Sequence, residues 1–401
     1  MTLAQAEMTF TCLYCAQQRP ESESTDEHAV PQFLGGAHAP SHYRLRNVCR
    51  ACNNNLGSYV DGSYAKSWFV TNTLAEAARK YYCGPGKNHS FPLIYIGIVN
   101  IPNLQAAQDE VAESWLGPSG ESIIWVRTND EAMYWYAGGD PRKRKHPSTV
   151  YFFPVSDDPI RWKMGLESLN ELFKKTKARR ILGATVVGLP PGQAYPGFEH
   201  ASSTDFANLQ AIRTAIHSRS IQGQLQMNLK FDQRFICKMA LAIGFSLFGP
   251  AYLATTQAAE ARVGLWPNSQ TQPKLHGSPT QYALQHFAKV AGYPGAVVIL
   301  VLRMNGAYAM SVTVDQALPF VVELCPDTLS SVFIDPERGY SLVLFPQLQE
   351  CVELPLPDLL AHVLGCAPNH ELFAIDERRQ SAAIFWKSLQ PLAAQSTSST
   401  R

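Results

Sequence analysis

Four of the nine cysteines form two pairs of identical spacing, Cys12-Leu-Tyr-Cys15 and Cys49-Arg-Ala-Cys52, separated by residues 16–48. Two C-x-x-C turns bring four thiolates to one ion, and four thiolates without a water position make a structural Zn²⁺ site. The segment between the pairs holds Asp26-Glu27-His28-Ala-Val-Pro31 and Gly35-Gly36. It ends at Asn47-Val48, and Asn53, Asn54 and Asn55 follow the second pair directly. An imidazole is the side chain whose ordinary pKa lies nearest neutrality, so His28 can take a proton from water. Two neighbouring carboxylates and a cluster of carboxamides offer the oxygen donors that a hard divalent cation prefers. Activated water and a charge-neutralising cation are what phosphodiester hydrolysis requires.

This run, C-x-x-C, D-E-H-A-V-P, L-G-G, then N-V-C-x-x-C-N-N-x-x-G-x-x-V-D from Cys12 to Asp61, resembles the HNH endonuclease family. The resemblance implies a ββα-metal module in which a β-hairpin and one helix surround a single catalytic metal. It assigns the general base to His28, a metal ligand to the acid before it, Glu27 or Asp26, and the second ligand at the helix start to Asn53. Asn47 matches the Asn that steadies the base-bearing loop, although it lies close to the second cysteine pair. The four cysteines match the zinc knuckles that brace many members. The implied cofactors are structural Zn²⁺ and catalytic Mg²⁺ or Mn²⁺, and the implied substrate is double-stranded DNA. Arg44, Arg46 and Arg50 are candidate phosphate contacts. Stand-alone HNH proteins of this kind also resemble regulated effectors of bacterial defence against phage or mobile DNA.

The elements that must position these groups are read more coarsely. Asp61 lies eight residues beyond Asn53, about two helical turns, and is either a further carboxylate of the site or a surface acid. His38 and His42 fall in the loop before Asn47. Apolar spacing predicts a helix over 65–82, stopped by Cys83-Gly-Pro-Gly. Strands are expected at 91–99, 121–127, 133–136 and 149–155, with the basic run Pro141-Arg-Lys-Arg-Lys-His146 between the last two as either a nucleic-acid patch or a hairpin tip. Residues 162–182 read as a helix with a basic end, 186–198 as a breaker-rich loop, and 206–218 and 231–254 as helices. Lys238 enters the apolar stretch of the last one, where it should snorkel or pair with an acid. Strands follow at 296–303, 307–314, 320–324, 331–334 and 340–345, and residues 396–401 form a polar tail. The other five cysteines sit among apolar neighbours and read as core thiols.

The expected architecture is α+β: a small zinc-stapled ββα-metal module (1–85), a mixed α+β middle region (86–265), and a C-terminal α+β region with antiparallel sheet (266–395) that could bind an activating ligand or protein. With 46% hydrophobic and 17% charged residues the chain is globular rather than disordered. A net charge of +1 provides no field over the whole chain, so contact with DNA has to be local. The run from Met239 to Ala254 is interrupted by Gly249-Pro250 and reads as a buried helix, not a membrane span. The first residues lack a basic and then apolar leader, which predicts a cytoplasmic protein, with self-association left open. The other reading of the N-terminal motif is a non-catalytic zinc module for binding nucleic acid or protein, for which His28, the adjacent acids and Asn53 would have no use.

Overall fold

A computed structural model describes residues 8–86, 90–129, 147–174, 176–184, 194–218, 221–224, 229–267, 273–275, 277–278 and 285–389. They form two compact units, one of residues 1–65, 76–81 and 229–401, the other of residues 66–75 and 82–228. The architecture is α+β. The expected boundaries near 85 and 265 do not coincide with these units, because the helix beginning at Leu229 packs with the N-terminal module rather than with the middle of the chain.

The N-terminal module opens with a short hairpin, β1 (Thr9–Thr11) and β2 (Gln18–Pro20). A second antiparallel pair follows, β3 (Ser24–His28) and β4 (Arg44–Cys49). Then α1 (Arg50–Leu56) runs through a π-helical turn at Gly57–Asp61 into α2 (Gly62–Ala65), and α3 (Trp68–Arg79) follows. The loop between β3 and β4 turns on Gly35, whose φ of 93° suits glycine. At Gly36 a Cβ would lie 1.6 Å from the carbonyl oxygen of Val30.

The second unit is a six-stranded sheet in the order β10-β5-β6-β7-β8-β9. It comprises β5 (Ile94–Asn100), β6 (Glu110–Leu116), β7 (Ser122–Thr128), β8 (Ser148–Phe153), β9 (Ala178–Leu182) and β10 (Gln222–Gln224), with α4 (Pro159–Phe173) and α5 (Ser203–Ser218). All pairs are antiparallel except β8 with β9, whose parallel pairing uses α4 as the crossover. Alternation along the strands sorts the core into two layers. Ile123, Trp125, Val150 and Phe152 pack with Leu169 and Phe173 of α4, while Ile124, Val126, Tyr151 and Phe153 pack with Leu209 and Ile212 of α5. The helix expected over 162–182 therefore ends at Phe173, and its basic end is strand: Arg179 pairs with Glu199 and Asp205. Local charge suggested a helix terminus there, but pairing with β8 decides the conformation.

The first unit resumes with α6 (Leu229–Phe248) and α7 (Thr256–Leu265). Its sheet has the order β11-β14-β13-β12-β15-β16, antiparallel throughout, with α8 (Gln285–Ala291) before the central strand. The strands are β11 (Gly277–Ser278), β12 (Val297–Met304), β13 (Ala307–Val314), β14 (Ala317–Pro326), β15 (Tyr340–Phe345) and β16 (Glu350–Leu354), followed by α9 (Leu356–Val363) and α10 (His370–Leu389). Asn305-Gly306 and Asp315-Gln316, all at positive φ, make the tight turns of the two central hairpins. Val298, Leu300, Val343 and Phe345 pack with Leu359 of α9 and with Leu372 and Ile375 of α10. On the β14 side lie α6 and α7. Helix α6 continues into a 3₁₀ turn, and its 232–254 span is apolar and long enough to cross a membrane; Ala240, Leu241, Ala242 and Ile243 are instead core residues.

Several expectations change here. Residues 331–334 form irregular loop rather than a strand, with Ile334 buried, and β6, β16, α9 and α10 lie outside the expected elements. The strand expected at 133–136, the basic run 141–146, most of the loop at 186–198 and the tail lie outside the described residues. The nuclease-like loop docks on the C-terminal sheet through Tyr43 Oη, which donates to Tyr340 Oη at 2.9 Å, and through the Cys351 thiol, which donates to the His38 carbonyl at 3.0 Å. Gly36→Ala should lower stability by about 1–3 kcal/mol or more, because no shift of a side chain can relieve a clash with backbone. A thermal unfolding midpoint equal to wild type would contradict this placement.

Candidate active site: two knuckles and a lysine-lined cleft

The cysteine thiols come from two local structures. Cys12 and Cys15 flank a turn closed by the Ala16 N–H donating to the Cys12 carbonyl at 2.8 Å, with Ala16 at positive φ. Cys49 is the N-cap of α1 and Cys52 lies one turn on. All four sulfurs lie within 4.8 Å of one another. A tetrahedron with Zn–S bonds of ~2.3 Å has edges of about 3.8 Å, so the set fits zinc. The hydrogen bond between Cys12 and Cys52 holds the Cys12 thiol below the ordinary thiol range and pushes that of Cys52 up, so Cys12 is the more readily ionised of the two. The first knuckle is clamped from outside: Leu13 N–H donates to the Asn47 carbonyl at 2.8 Å, Arg262 Nε to the Leu13 carbonyl at 3.1 Å, and Trp266 Nε1 to the Tyr14 carbonyl at 3.0 Å.

Beside the knuckles lies a cleft of about 430 Å³ lined by Asp26, Glu27, His28, Asn53, Asp61 and Lys238, with Phe33 and Gly57 among the remaining walls. In the β3–β4 hairpin Thr25 pairs with Val48 and Glu27 with Leu45, so Arg46 and Asn47 together face the single residue Asp26. This bulge sends Asp26 outward, half-exposed, 3.7 Å from Arg44 and 3.8 Å from Arg46. Glu27 is buried, and its Oε1 accepts from Tyr14 Oη at 3.0 Å and from Lys238 Nζ at 2.9 Å. His28 pairs with Arg44 across the strands. Its Nε2 is buried and has no hydrogen-bond partner. Burial first, and then the Arg44 charge, hold the His28 pKa below the usual 6.5, which keeps the ring neutral and able to accept a proton.

Asn53 is oriented by its amide nitrogen, which donates to Thr25 Oγ1 at 3.0 Å and to the Asp26 carbonyl at 3.3 Å. Both bonds use nitrogen, so the carbonyl oxygen is the end left for the cleft. Eight residues of regular α-helix would carry Asp61 about 80° past Asn53. The wider π turn at 57–61 takes up part of that rotation, and both residues line the cleft. Asp61 Oδ2 accepts from Lys238, while Oδ1 is buried with no hydrogen-bond partner. Burial raises the Asp61 pKa against the pull of Lys238. For Lys238 burial acts downward, but Asp61 and Glu27 outweigh it and hold the side chain as an ammonium.

Residues 12–69 match the HNH endonuclease family. The N-terminal module is therefore HNH-like. No curated protein and no solved structure matches the chain.

Within the HNH module the structure brings His28, Glu27, Asp26 and Asn53 to one cleft, and adds Asp61 as a largely buried member rather than a surface acid. Asn47 stands apart from the cleft lining; its backbone carbonyl braces the first knuckle. Arg44, Arg46 and Arg50 are all exposed and lie outside the cleft lining, Arg50 at the first position of α1. His42 stacks on Phe333 at 4.1 Å and lies 3.6 Å from Glu353, while His38 offers its carbonyl to Cys351. Neither histidine reaches the cleft. The cleft lining includes Glu27, Asp61 and Asn53, oxygen donors of the kind a hard divalent cation takes, whereas among the described residues the group whose ligand atoms come within 4.8 Å of one another is the four cysteines. Lys238 is the functional residue whose place in the cleft was not foreseen. The signal was its isolation in an apolar helix, since a fully buried lysine needs anions beside it.

Cys49→Ala should remove the zinc and unfold the module together, because a unit of this size cannot bury enough surface to hold itself. Metal analysis and circular dichroism on the purified variant check this; zinc retained in full would dismiss the four-sulfur site.

Proposed function

We propose that the protein is a metal-dependent endonuclease that hydrolyses phosphodiester bonds of double-stranded DNA in the His28 cleft. The observation that carries this reading is a neutral His28, its Nε2 without a hydrogen-bond partner, lining a cleft together with carboxylate and carboxamide side chains. His28 takes the proton of the attacking water at Nε2. The imidazolium so formed is favoured by the carboxylates of Glu27 and Asp26, the two charges that act to raise its pKa. Glu27 and Asn53 would hold the divalent cation, with Asp26 or Asp61 beside them. Bound there, it would neutralise charge developing on the phosphate and the leaving oxygen.

Arg44 and Arg46 stand half-exposed and exposed at the rim, where Asp26 steadies them, and suit contacts to the DNA backbone. A chain of net charge +1 binds DNA only through such a local patch. Lys238, Tyr14 and Thr25 touch the site residues rather than the substrate and act as positioning groups. The C-terminal sheet supports the loop that follows His28 through the Tyr43–Tyr340 bond.

Supercoiled plasmid should be nicked or linearised by the full-length protein with Mg²⁺ or Mn²⁺ and left intact with chelator. His28→Ala should lower the rate by about 10²–10⁴-fold while keeping its zinc and its unfolding temperature. A variant that cleaves as fast as wild type would exclude His28 as the base. The base works unprotonated and its pKa is depressed, so activity should persist below pH 6.5 and fall only as pH drops through the lowered value. An acid limb lying above pH 6.5, or one that survives in His28→Ala, would assign it to another group.

A further inference from the structure

Lys238 lies 177 residues beyond Asp61 in the chain, yet its ammonium sits between two carboxylates of the nuclease cleft. The residue is 2% exposed, donates to Glu27 Oε1 at 2.9 Å and to Asp61 Oδ2, and lines the cleft with both acids. Asp26, the third carboxylate there, is faced by Arg44 and Arg46 and carries no uncompensated charge. What remains are two anions, Glu27 buried and Asp61 mostly so, and one buried cation. The other oxygen of Asp61, Oδ1, is a buried acceptor with no hydrogen-bond partner.

We propose that Lys238 is the resident cation of the cleft, holding between Glu27 and Asp61 the position a divalent ion would otherwise take and so restraining the cleft's affinity for such ions. The inference rests on reading the cleft as a metal-dependent nuclease site. A divalent ion that reaches either carboxylate comes within a few ångströms of a fixed like charge in surroundings that screen it poorly. The lysine also orients Glu27, whose Oε1 is fully engaged by Lys238 and Tyr14, so ligation falls to the second oxygen.

The test is calorimetric Mn²⁺ titration of the full-length, zinc-loaded protein at about pH 8, where carboxylates are ionised and lysine is charged. Lys238→Met should bind Mn²⁺ about tenfold or more tighter than wild type, since one like charge is lost from the site. The pair Lys238→Met with Asp61→Asn removes the cation and one anion together and should return to within about threefold of wild type. Unchanged or weaker Mn²⁺ binding by a folded Lys238→Met would overturn the proposal. Should that variant not fold, the double variant decides alone: Mn²⁺ binding about tenfold or more below wild type would make Asp61 an essential ligand and overturn the account of offset charge. Mn²⁺ uptake by Lys238→Met but not by wild type would uphold the role of Lys238 and refute the nuclease reading. Equal uptake by both would do the reverse.

Discussion

The first unit depends on a buried charge cluster in which the Lys238 ammonium lies between Glu27 and Asp61. None of the three could be buried alone, because an isolated ion in the interior is far too costly. Together they tie strand β3, the helical segment through Asp61 and helix α6 into one arrangement, with Tyr14 of the first knuckle joined by its hydroxyl. Removing one member of such a cluster costs about 3–5 kcal/mol, since the others stay buried without compensation. The cleft is therefore completed by a helix that begins 160 residues after the matched segment ends at residue 69.

The four-sulfur cluster has a complementary role. The hairpin and helix around it are short, and their pairing alone buries little surface. Zinc thiolate bonds would supply what the small core lacks, and Arg262, Trp266 and the Asn47 carbonyl hold the knuckle carbonyl and amide groups that a tight turn leaves free. The metal staple and the lysine cluster act on opposite ends of the same short elements. One fixes where β4 meets α1, and the other fixes which way β3 faces.

The bulge at Asp26 separates neighbouring acids into different tasks. Glu27 turns inward to the lysine and Asp26 turns outward to the two arginines, while His28 keeps its imidazole in the cleft with Nε2 unbonded. Consecutive residues of a strand face opposite sides, so adjacent carboxylates with distinct surroundings follow from the pleat.

What the sequence by itself determined is the chemistry held in short-range spacing. The cysteine pairs, the Asp26-Glu27-His28 run and Asn53 were legible because ligands and bases in knuckles, hairpins and helix starts are placed by their immediate neighbours. The central strands of the C-terminal sheet were legible for a similar reason, as continuous apolar runs with tight turns between them. Other elements were decided by partners far away in the chain. Residues 178–182 are basic enough to resemble the end of a helix, and only β8 makes them a strand. His38 and His42 have the right residue types for the site but make their contacts away from the cleft. Lys238 could be recognised as needing an anion, but which anions it would find was settled by the packing of α6 on the nuclease module, because burial of a charge is a property of the assembled interior and not of any segment.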